Sequence, residues 1–476
     1  MGEFKPRFFL ELSRDLKIGY NSDMRTSTPA LVNPTVLTWA RQESGYPPEP
    51  VAKRLNVKPE RLLAWERGDL KPTVRKTQNL ARFYRRPFGV FFLPQPPVLS
   101  PLAAEYRRLP GVRPGVESPE FRLALRLMSQ RREVALELSE ELDVGVDDFN
   151  VAAHLSEGTA AVGARLRMVL GITGDEQLGW PSDWQAWRRW REAVETAGVL
   201  VFQFPKVSLT QARGVTLFKF PLPAIGINSK ESSPGARSFT LLHELTHLAL
   251  AVGNEERAAL GETRDDAGWL EVERFAEEAA SAALIPTEML SPIMQRMDVS
   301  PDAWDISSMR SLADKFNVTP LAMATRLRTV GVLSWDGYNR WKLEWNQYSD
   351  AFPKRKGFAS PIDKTLGRSG RPFVRLVLEA LDMNRITAVQ ASHYADPYLC
   401  PRQSLSNERH PLYLLTSNYF APPESHVISV GTIPKEPRLF SHHLNRQLKN
   451  HRSLVRLEPL EALFQSLKYS FHSSIN

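Results

Sequence analysis

Two histidines and a glutamate in the stretch "SFTLLHELTHLAL", residues 238–250, have the spacing of a metal-binding helix. His243 and His247 are four residues apart, so on a helix both imidazoles lie on one face, about one turn apart. Such a pair can share a tetrahedral Zn²⁺, and Glu244 can then act as a general base toward water. The pattern therefore indicates metal-assisted hydrolysis. The competing interpretation is a buried helix whose histidines only form hydrogen bonds.

A catalytic zinc needs a third protein ligand and an open position. The 40 residues after His247 contain no histidine, so we expect a carboxylate to complete the site. The Ala-rich segment "GWLEVERFAEEAASAALIP", residues 268–286, is predicted to be a second helix. Glu273 and Glu277 share one face of it with alanines, which would allow close packing against the first helix. The spacing leaves both glutamates as candidates for the third ligand.

The composition limits the class of protein. The single cysteine, Cys400, excludes an internal disulfide and a zinc site built from cysteines. The 61 basic against 53 acidic residues permit a nucleic-acid partner without requiring one. No signal peptide and no membrane span is evident, so we expect a cytoplasmic protein without a membrane partner.

Short helices separated by turn signals precede this part of the chain. "PPEPVAKRL" and "KPERLLAWERG" are two such helices joined by a tight turn, and Gly68 ends the second. This is the helix-turn-helix pattern, whose second helix enters the major groove of DNA. Glu60 would repel phosphate, so a domain kept for dimerisation or protein docking is the alternative. The DNA contacts that we expect are Lys58, Arg61, Ala64, Arg67, Lys71 and Arg75.

The remaining patterns predict a mainly α fold with a small β-sheet, of the α+β class. Residues 85–101 are predicted to be an apolar extended run with a proline-rich domain boundary. Long amphipathic helices are predicted at 118–142 and 183–198. "VLVFQF" and "PAIGINS" are predicted strands on either side of "ARGVTLF".

The two predicted metal-site helices resemble the ImmA/IrrE family of bacterial metallopeptidases. The resemblance rests on "RSFTLLHELTHLAL" and "ERFAEEAASAALIP". The family pattern is Arg-x-Phe-Thr-x-x-His-Glu-x-x-His, then Glu-x-x-Ala-x-x-x-Ala and a proline. Counted back from Pro286, the resemblance assigns the third ligand to Glu273 rather than Glu277. Thr246 replaces the more usual glycine or alanine, but it is not a ligand position.

The N-terminal part resembles the DNA-binding domain of XRE-type phage repressors, through "ARQESGYPPEPVAKRLNVKPERLLAWERGDLKPT". "LARFYRRPFGVFFLPQPP" and "YRRLP" resemble the connector found where that domain is fused to an ImmA/IrrE peptidase. The segments that we predict are a leader at 1–32, a helix-turn-helix domain with its connector at 33–98, a peptidase domain at 99–331, a C-terminal family region at 332–395 and an unrecognised tail at 396–476.

The resemblance implies a zinc-dependent endopeptidase, with Zn²⁺ bound by His243, His247 and Glu273 and with Glu244 as general base. It implies a protein substrate such as a helix-turn-helix repressor, cleaved to control stress-response or mobile-element genes. DNA is the second expected partner, and a homodimer is a possible assembly. The alternative is a non-proteolytic XRE-type regulator or antitoxin-like protein that uses the peptidase fold as a sensor. A third hypothesis combines both, with the DNA-binding half locating a DNA-bound repressor for cleavage.

Overall fold

The computed structural model describes residues 28–99, 101–109, 115–231, 233–297, 303–350 and 360–395. All of them belong to the first of two structural units, Met1–Tyr419. The predicted tail, and the predicted leader up to residue 27, lie outside the described residues. None of the described helices is long and apolar enough to cross a membrane.

Four short helices form the N-terminal domain. They are α1 (Pro34–Glu43), α2 (Pro48–Leu55), α3 (Pro59–Arg67) and α4 (Val74–Tyr84). Local signals set their ends: the Asn33 side chain caps α1, Asn56 ends α2 in a left-handed conformation, and Gly68 ends α3 at φ 86°. Leu62 and Trp65 lie in the domain core. The predicted helix-turn-helix is therefore confirmed as a fold.

The stretch predicted to be extended after α4 is instead a 3-10 helix, Phe88–Phe92, so this part of the prediction was wrong. Its Phe91 side chain is fully buried in the core of the N-terminal domain. The Phe91 carbonyl also accepts a hydrogen bond from the Asn33 amide at 2.9 Å. A tight turn brings Phe91 into this core, and tertiary packing thus overrides the extended preference of the apolar run.

The second part of the chain is built from helices around a small sheet. Its helices are α5 (Pro119–Glu141), α6 (Thr159–Val169), α7 (Gly174–Leu178), α8 (Asp183–Thr196), α9 (Pro234–Val252), α10 (Asp266–Leu284), α11 (Thr287–Met297), α12 (Ile306–Lys315) and α13 (Pro320–Thr329). The Ser233 side chain caps α9 and the Asp265 side chain caps α10. These two helices carry the predicted metal ligands.

The three strands of the sheet have the order β1-β3-β2, with β1 parallel and β2 antiparallel to β3. They are β1 (Leu200–Phe204), β2 (Gly214–Leu217) and β3 (Ala224–Asn228). All their residues are buried, as expected for a sheet covered on both faces. The predicted α+β class, mainly helical with a small sheet, is thereby confirmed.

A short piece of the chain between the two domains extends this sheet. Residues 105–107, which we call the connector segment, lie along the outer edge of β2. The Arg107 amide donates to the Thr216 carbonyl at 3.0 Å, and the Phe218 amide donates to the Glu105 carbonyl at 2.8 Å. On its other side the segment bridges to the loop that follows α9. The connector segment is thus held between two other parts of the chain.

Of the C-terminal helices that the structure describes, the first packs against α12 and α13, and the other three contribute to the core on the second face of the sheet. These C-terminal helices are α14 (Trp335–Asp350), α15 (Pro361–Ser369), α16 (Arg371–Asp382) and α17 (Ala388–Ala395). Phe373 on α16 packs edge-on against Phe202 of β1, with ring centroids 6.1 Å apart. These two residues share one hydrophobic core with residues of α5. A separate core joins α8, α9 and α10 with the other face of the sheet.

The Ala-rich helix α10 is in close contact with α6 at Gly163. A Cβ atom placed there would lie 2.8 Å from the Ala279 carbonyl oxygen and 2.8 Å from the Ala282 Cβ. The small residues of α10 therefore permit a close approach of α6.

Candidate metal centre

Helices α9 and α10 bring three potential metal ligands together. His243 and His247 lie one turn apart on α9, and their Nε2 atoms are 3.0 Å from each other. Glu273 on α10 places Oε2 3.4 Å from the His243 Nε2 and Oε1 3.4 Å from the His247 Nε2. Among the described residues these three form a group whose donor atoms could hold one ion. Glu277, the alternative third ligand, is not part of this group.

The spacing and the type of these donors fit a zinc ion. Ligand bonds of about 2.0–2.1 Å in a tetrahedron separate the donor atoms by about 3.3 Å, close to the distances observed here. Two imidazole nitrogens at 3.0 Å can share a single proton, or both can direct their lone pairs at a cation. Two histidines and one glutamate are also a donor set typical of catalytic zinc.

Glu256, in the loop after α9, orients one of the two histidines. Its Oε2 atom lies 2.7 Å from the His247 Nδ1, and both side chains are buried. An Nδ1–H donated to this carboxylate leaves the His247 Nε2 lone pair facing the other two donors. Burial lowers the pKa of His247 well below its ordinary value, which keeps the imidazole in the neutral form that binds metals. Burial also raises the pKa of Glu256, and the charge of Arg107 acts in the opposite direction.

Glu244, the predicted general base, is held by a bidentate ion pair with Arg107. The Arg107 Nε donates to Oε2 at 2.7 Å, and Nη2 donates to Oε1 at 2.8 Å. The Thr216 hydroxyl on β2 also donates to Oε2, at 2.8 Å. Burial alone would raise the pKa of Glu244, but the charge and hydrogen bonds of Arg107 outweigh it and lower the pKa.

The approach of β2 to this carboxylate requires a glycine. A Cβ atom at Gly214 would lie 2.7 Å from the Glu244 Cγ and Oε1 atoms. A side chain there would displace either the strand or the carboxylate. The sequence therefore keeps Gly214 at the point where the sheet touches α9.

Arg107 links the predicted base to the predicted ligand. Its Nη1 donates to the Glu273 Oε1 at 2.8 Å and to the Arg108 carbonyl at 2.8 Å. The Arg107 side chain is 3% exposed, so its charge is compensated by carboxylates rather than by water. Sequence reasoning missed this role. Its signal was the arginine in "YRRLP", which we assigned only to the connector.

Sequence reasoning also missed Glu256 and Thr216. Glu256 lies in the loop sequence "GNEER", where an acidic residue is ordinarily a surface residue, and its burial could not be predicted from the local pattern. Thr216 lies in "ARGVTLF", between the two predicted strands, and was given no role; the structure makes it part of β2. Their roles depend on contacts between distant parts of the chain.

Most of the residues predicted to contact DNA lie on the surface of the helix-turn-helix domain. Ala64 is the exception: it is only 8% exposed, so its methyl group is not available to a base edge, and we correct the prediction there. Arg67 is paired with the exposed Asp69 at 2.8 Å. The predicted contacts whose side chains are exposed are Lys58, Arg61, Arg67, Lys71 and Arg75.

Two family models match separate parts of the chain. Residues 194–328 match the peptidase family Peptidase_M78, described as an IrrE N-terminal-like domain. Residues 37–91 match HTH_3, described as a helix-turn-helix. The chain thus carries an XRE-type helix-turn-helix domain followed by a peptidase domain of the ImmA/IrrE type, and the predicted resemblance is confirmed. No curated protein matches the sequence. Arg107 lies outside both matched ranges.

Proposed function

We propose that the protein is a zinc-dependent endopeptidase with a DNA-binding domain. The observation that carries this proposal is the group of His243, His247 and Glu273, whose donor atoms lie within 3.4 Å of each other. Glu244 follows the first of these histidines on the same helix. The match of residues 194–328 to a peptidase family supports the same class of reaction.

The proposed mechanism assigns one task to each residue. Zn²⁺ held by His243, His247 and Glu273 would supply Lewis-acid polarisation of a peptide carbonyl. Glu244 would accept the proton of the attacking water at a carboxylate oxygen and then donate it to the leaving amine. For this transfer one Glu244 oxygen must be released from Arg107.

DNA and a regulatory protein are the proposed partners. Exposed cations at the start of α3 and along it, among them Lys58 and Arg61, are suited to phosphate contacts. The substrate that we propose is a helix-turn-helix repressor, whose cleavage would control stress-response or mobile-element genes. The DNA-binding domain would bring the peptidase to a repressor that is bound to DNA.

Metal analysis tests the site itself. We expect about one zinc per chain in the wild type and loss of zinc in His243→Ala, because two ligands cannot hold the ion as tightly as three. His154→Ala is the matched control, since His154 is half exposed and pairs with Glu255. Equal zinc in the wild type and His243→Ala would disprove the ligand assignment.

Glu244→Gln tests the reaction. We expect it to keep zinc and to lose cleavage of a candidate repressor, because the amide accepts no proton. The cleavage assay compares the repressor incubated with the wild type and with the variant. Cleavage at the wild-type rate by Glu244→Gln would remove Glu244 from the mechanism.

The buried ion pair of Glu244 favours a second candidate, a regulator that uses the peptidase fold as a sensor. In this case the Glu244–Arg107 pair would be permanent and the site would bind a metal without turnover. Sequence-specific DNA binding that is unchanged in His243→Ala, together with an intact repressor after long incubation with the wild type, would favour this candidate over the peptidase.

A further inference from the structure

The edge of β2 is where an extended peptide would reach the predicted catalytic residues. A peptide can add a strand to a sheet edge through main-chain hydrogen bonds. β2 carries Thr216, whose side chain touches Glu244, so a peptide on the outer edge of this strand would pass beside the predicted base. In the structure the connector segment, residues 105–107, makes two main-chain hydrogen bonds at this edge, with Thr216 and with Phe218, which follows β2.

Through Arg107, the connector segment also occupies both carboxylate oxygens of the predicted base, Glu244. Arg107 donates to both oxygens of Glu244, and Glu244 is 1% exposed. A carboxylate held in this way has both oxygens occupied by hydrogen bonds and no free access to water. The same guanidinium places a positive charge 2.8 Å from the Glu273 Oε1, beside the predicted cation site.

We propose that the connector segment is an internal inhibitor of the peptidase site. Its backbone occupies the position of an extended substrate on β2, and Arg107 blocks Glu244 and competes with a cation for Glu273. This inference rests on the proposed function and adds its regulation. Release of the segment would free the edge of β2 and the Glu244 carboxylate in one movement.

A chain of contacts ties the connector segment to the helix-turn-helix domain. The Tyr106 hydroxyl donates to the Glu117 carboxylate. Glu117 pairs with Arg122 at 3.3 Å, and the Arg122 Nη1 donates to the carbonyl of Gln42 on α1 at 3.1 Å. Displacement of the helix-turn-helix domain by a bound partner would therefore act on the residue next to Arg107. The inhibitor is thus placed where DNA or repressor binding would control it.

The zinc affinity of Arg107→Ala distinguishes an inhibitor from a support. Zn²⁺ affinity is measured by competition with a chromophoric chelator. We expect Arg107→Ala to bind Zn²⁺ at least about tenfold more tightly than the wild type, because a positive charge beside the site is removed. An outer residue that supports a ligand would have the opposite effect, a loss of about 10–100-fold. A weaker or an unchanged affinity would overturn the proposal.

Arg108→Ala is the matched control for this experiment. Arg108 is the next residue, and its side chain bonds to Asp266 and to the Arg264 carbonyl rather than to the metal-site carboxylates. We expect its zinc affinity to equal that of the wild type within about twofold, because its charge is partly exposed and screened. A change as large as that in Arg107→Ala would assign the effect to general charge loss and overturn the proposal.

Tyr106→Phe provides a milder test if Arg107→Ala fails to fold. The substitution removes only the bond to Glu117 and keeps the buried ring. Hydrogen exchange then reports on the amides of Arg107 and Phe218, which join the connector segment to β2. We expect both to exchange several-fold faster in the variant, with α9 unchanged, because a releasable segment opens without global unfolding. If both amides exchanged only when the amides of α9 also exchanged, the connector segment would be a permanent strand, and the proposal would be contradicted.

The two levels of proposal fail in different ways. A wild type that binds no zinc would contradict the proposed function, whereas the exchange of the Arg107 and Phe218 amides would still decide whether the segment opens. A wild type that binds zinc, combined with weaker zinc binding in Arg107→Ala, would retain the metal site and reject the inhibitor.

Discussion

Two arginine–glutamate pairs of the same geometry occur in the two domains, one partly buried and one fully buried. In the helix-turn-helix domain, Arg41 donates to both oxygens of Glu66 at 2.7 and 2.8 Å. In the peptidase domain, Arg107 donates to both oxygens of Glu244 at 2.7 and 2.8 Å. In the first pair one arginine charge faces one glutamate charge. In the second, Arg107 also donates a hydrogen bond to Glu273, so one positive charge faces two negative charges.

This difference distinguishes a pair whose charges balance from a cluster whose charges do not. The balanced pair joins α1 to α3 and needs no further ion. A cluster with one arginine and two carboxylates beside two histidines has a deficit of positive charge, which a divalent cation would correct. Charge balance, rather than the geometry of a single ion pair, thus distinguishes the candidate metal centre from the pair in the helix-turn-helix domain.

The largest expected effect is the stabilisation of the peptidase domain by Zn²⁺, which would offset the deficit of positive charge. Zn²⁺ at about a thousand times its Kd should stabilise the peptidase domain against denaturant by about 4 kcal/mol. Glu273→Gln should abolish most of this gain, because it removes a ligand, and Glu277→Gln should keep it. Urea unfolding with and without Zn²⁺ measures the difference. Retention of the gain in Glu273→Gln and its loss in Glu277→Gln would reverse the ligand assignment.

The balanced pair should show a smaller effect that zinc does not change. Arg41→Ala leaves the Glu66 carboxylate, which is 5% exposed, without its partner. We expect a local loss of about 3 kcal/mol, seen as faster hydrogen exchange throughout α1 and α3. The same loss in the helices of the peptidase domain would mean that the pair stabilises more than its own domain.

The raised pKa of His243 in the candidate metal centre gives a third test. Burial alone would lower the pKa of His243, but its contact with the Glu273 carboxylate outweighs this and raises the pKa above the ordinary 6.5. Protons compete with the metal for this nitrogen, so zinc affinity should fall as the pH drops through the raised pKa. Below it we expect about a tenfold loss per pH unit. Zinc titrations in buffers of decreasing pH check this, and a flat profile would contradict it.

The smallest stability effect is expected at the surface of the helix-turn-helix domain. Arg67 and Asp69 are both more than half exposed, so Arg67→Ala should change the stability by less than about 0.5 kcal/mol. The same variant should lower the salt dependence of DNA binding by about one phosphate contact. Binding isotherms at several salt concentrations measure this. An unchanged salt slope would remove Arg67 from the DNA interface.

The sequence predicted the elements well where local signals decide them. Short helices joined by a tight turn, with Gly68 at the end of the second, predicted the helix-turn-helix, and the spacing of the two histidines predicted α9. The pair His243 and His247 was evident because one helix sets their geometry. Glu273 needed the family resemblance, since spacing alone did not separate it from Glu277.

The rest of the centre could not be predicted because distant segments supply it. Arg107 and Glu244 are 137 residues apart along the chain, and only the pairing of the connector segment with β2 brings them together. Glu256 follows a helix end, where an acidic side chain is ordinarily solvated. No local period or propensity carries information about such contacts.

The absence of a side chain at Gly163 allows α6 to approach α10, the helix that carries Glu273, closely. α6 lies against α10 at this point without a side chain between them, and a Cβ atom at Gly163 would also lie 2.8 Å from the Ala283 nitrogen. An added methyl group would have to displace one helix relative to the other, and we expect a shift of α10 to move Glu273 relative to the two histidines on α9. A glycine that does not touch the predicted ligands is thus a position at which a larger side chain should disturb the geometry of the candidate metal site.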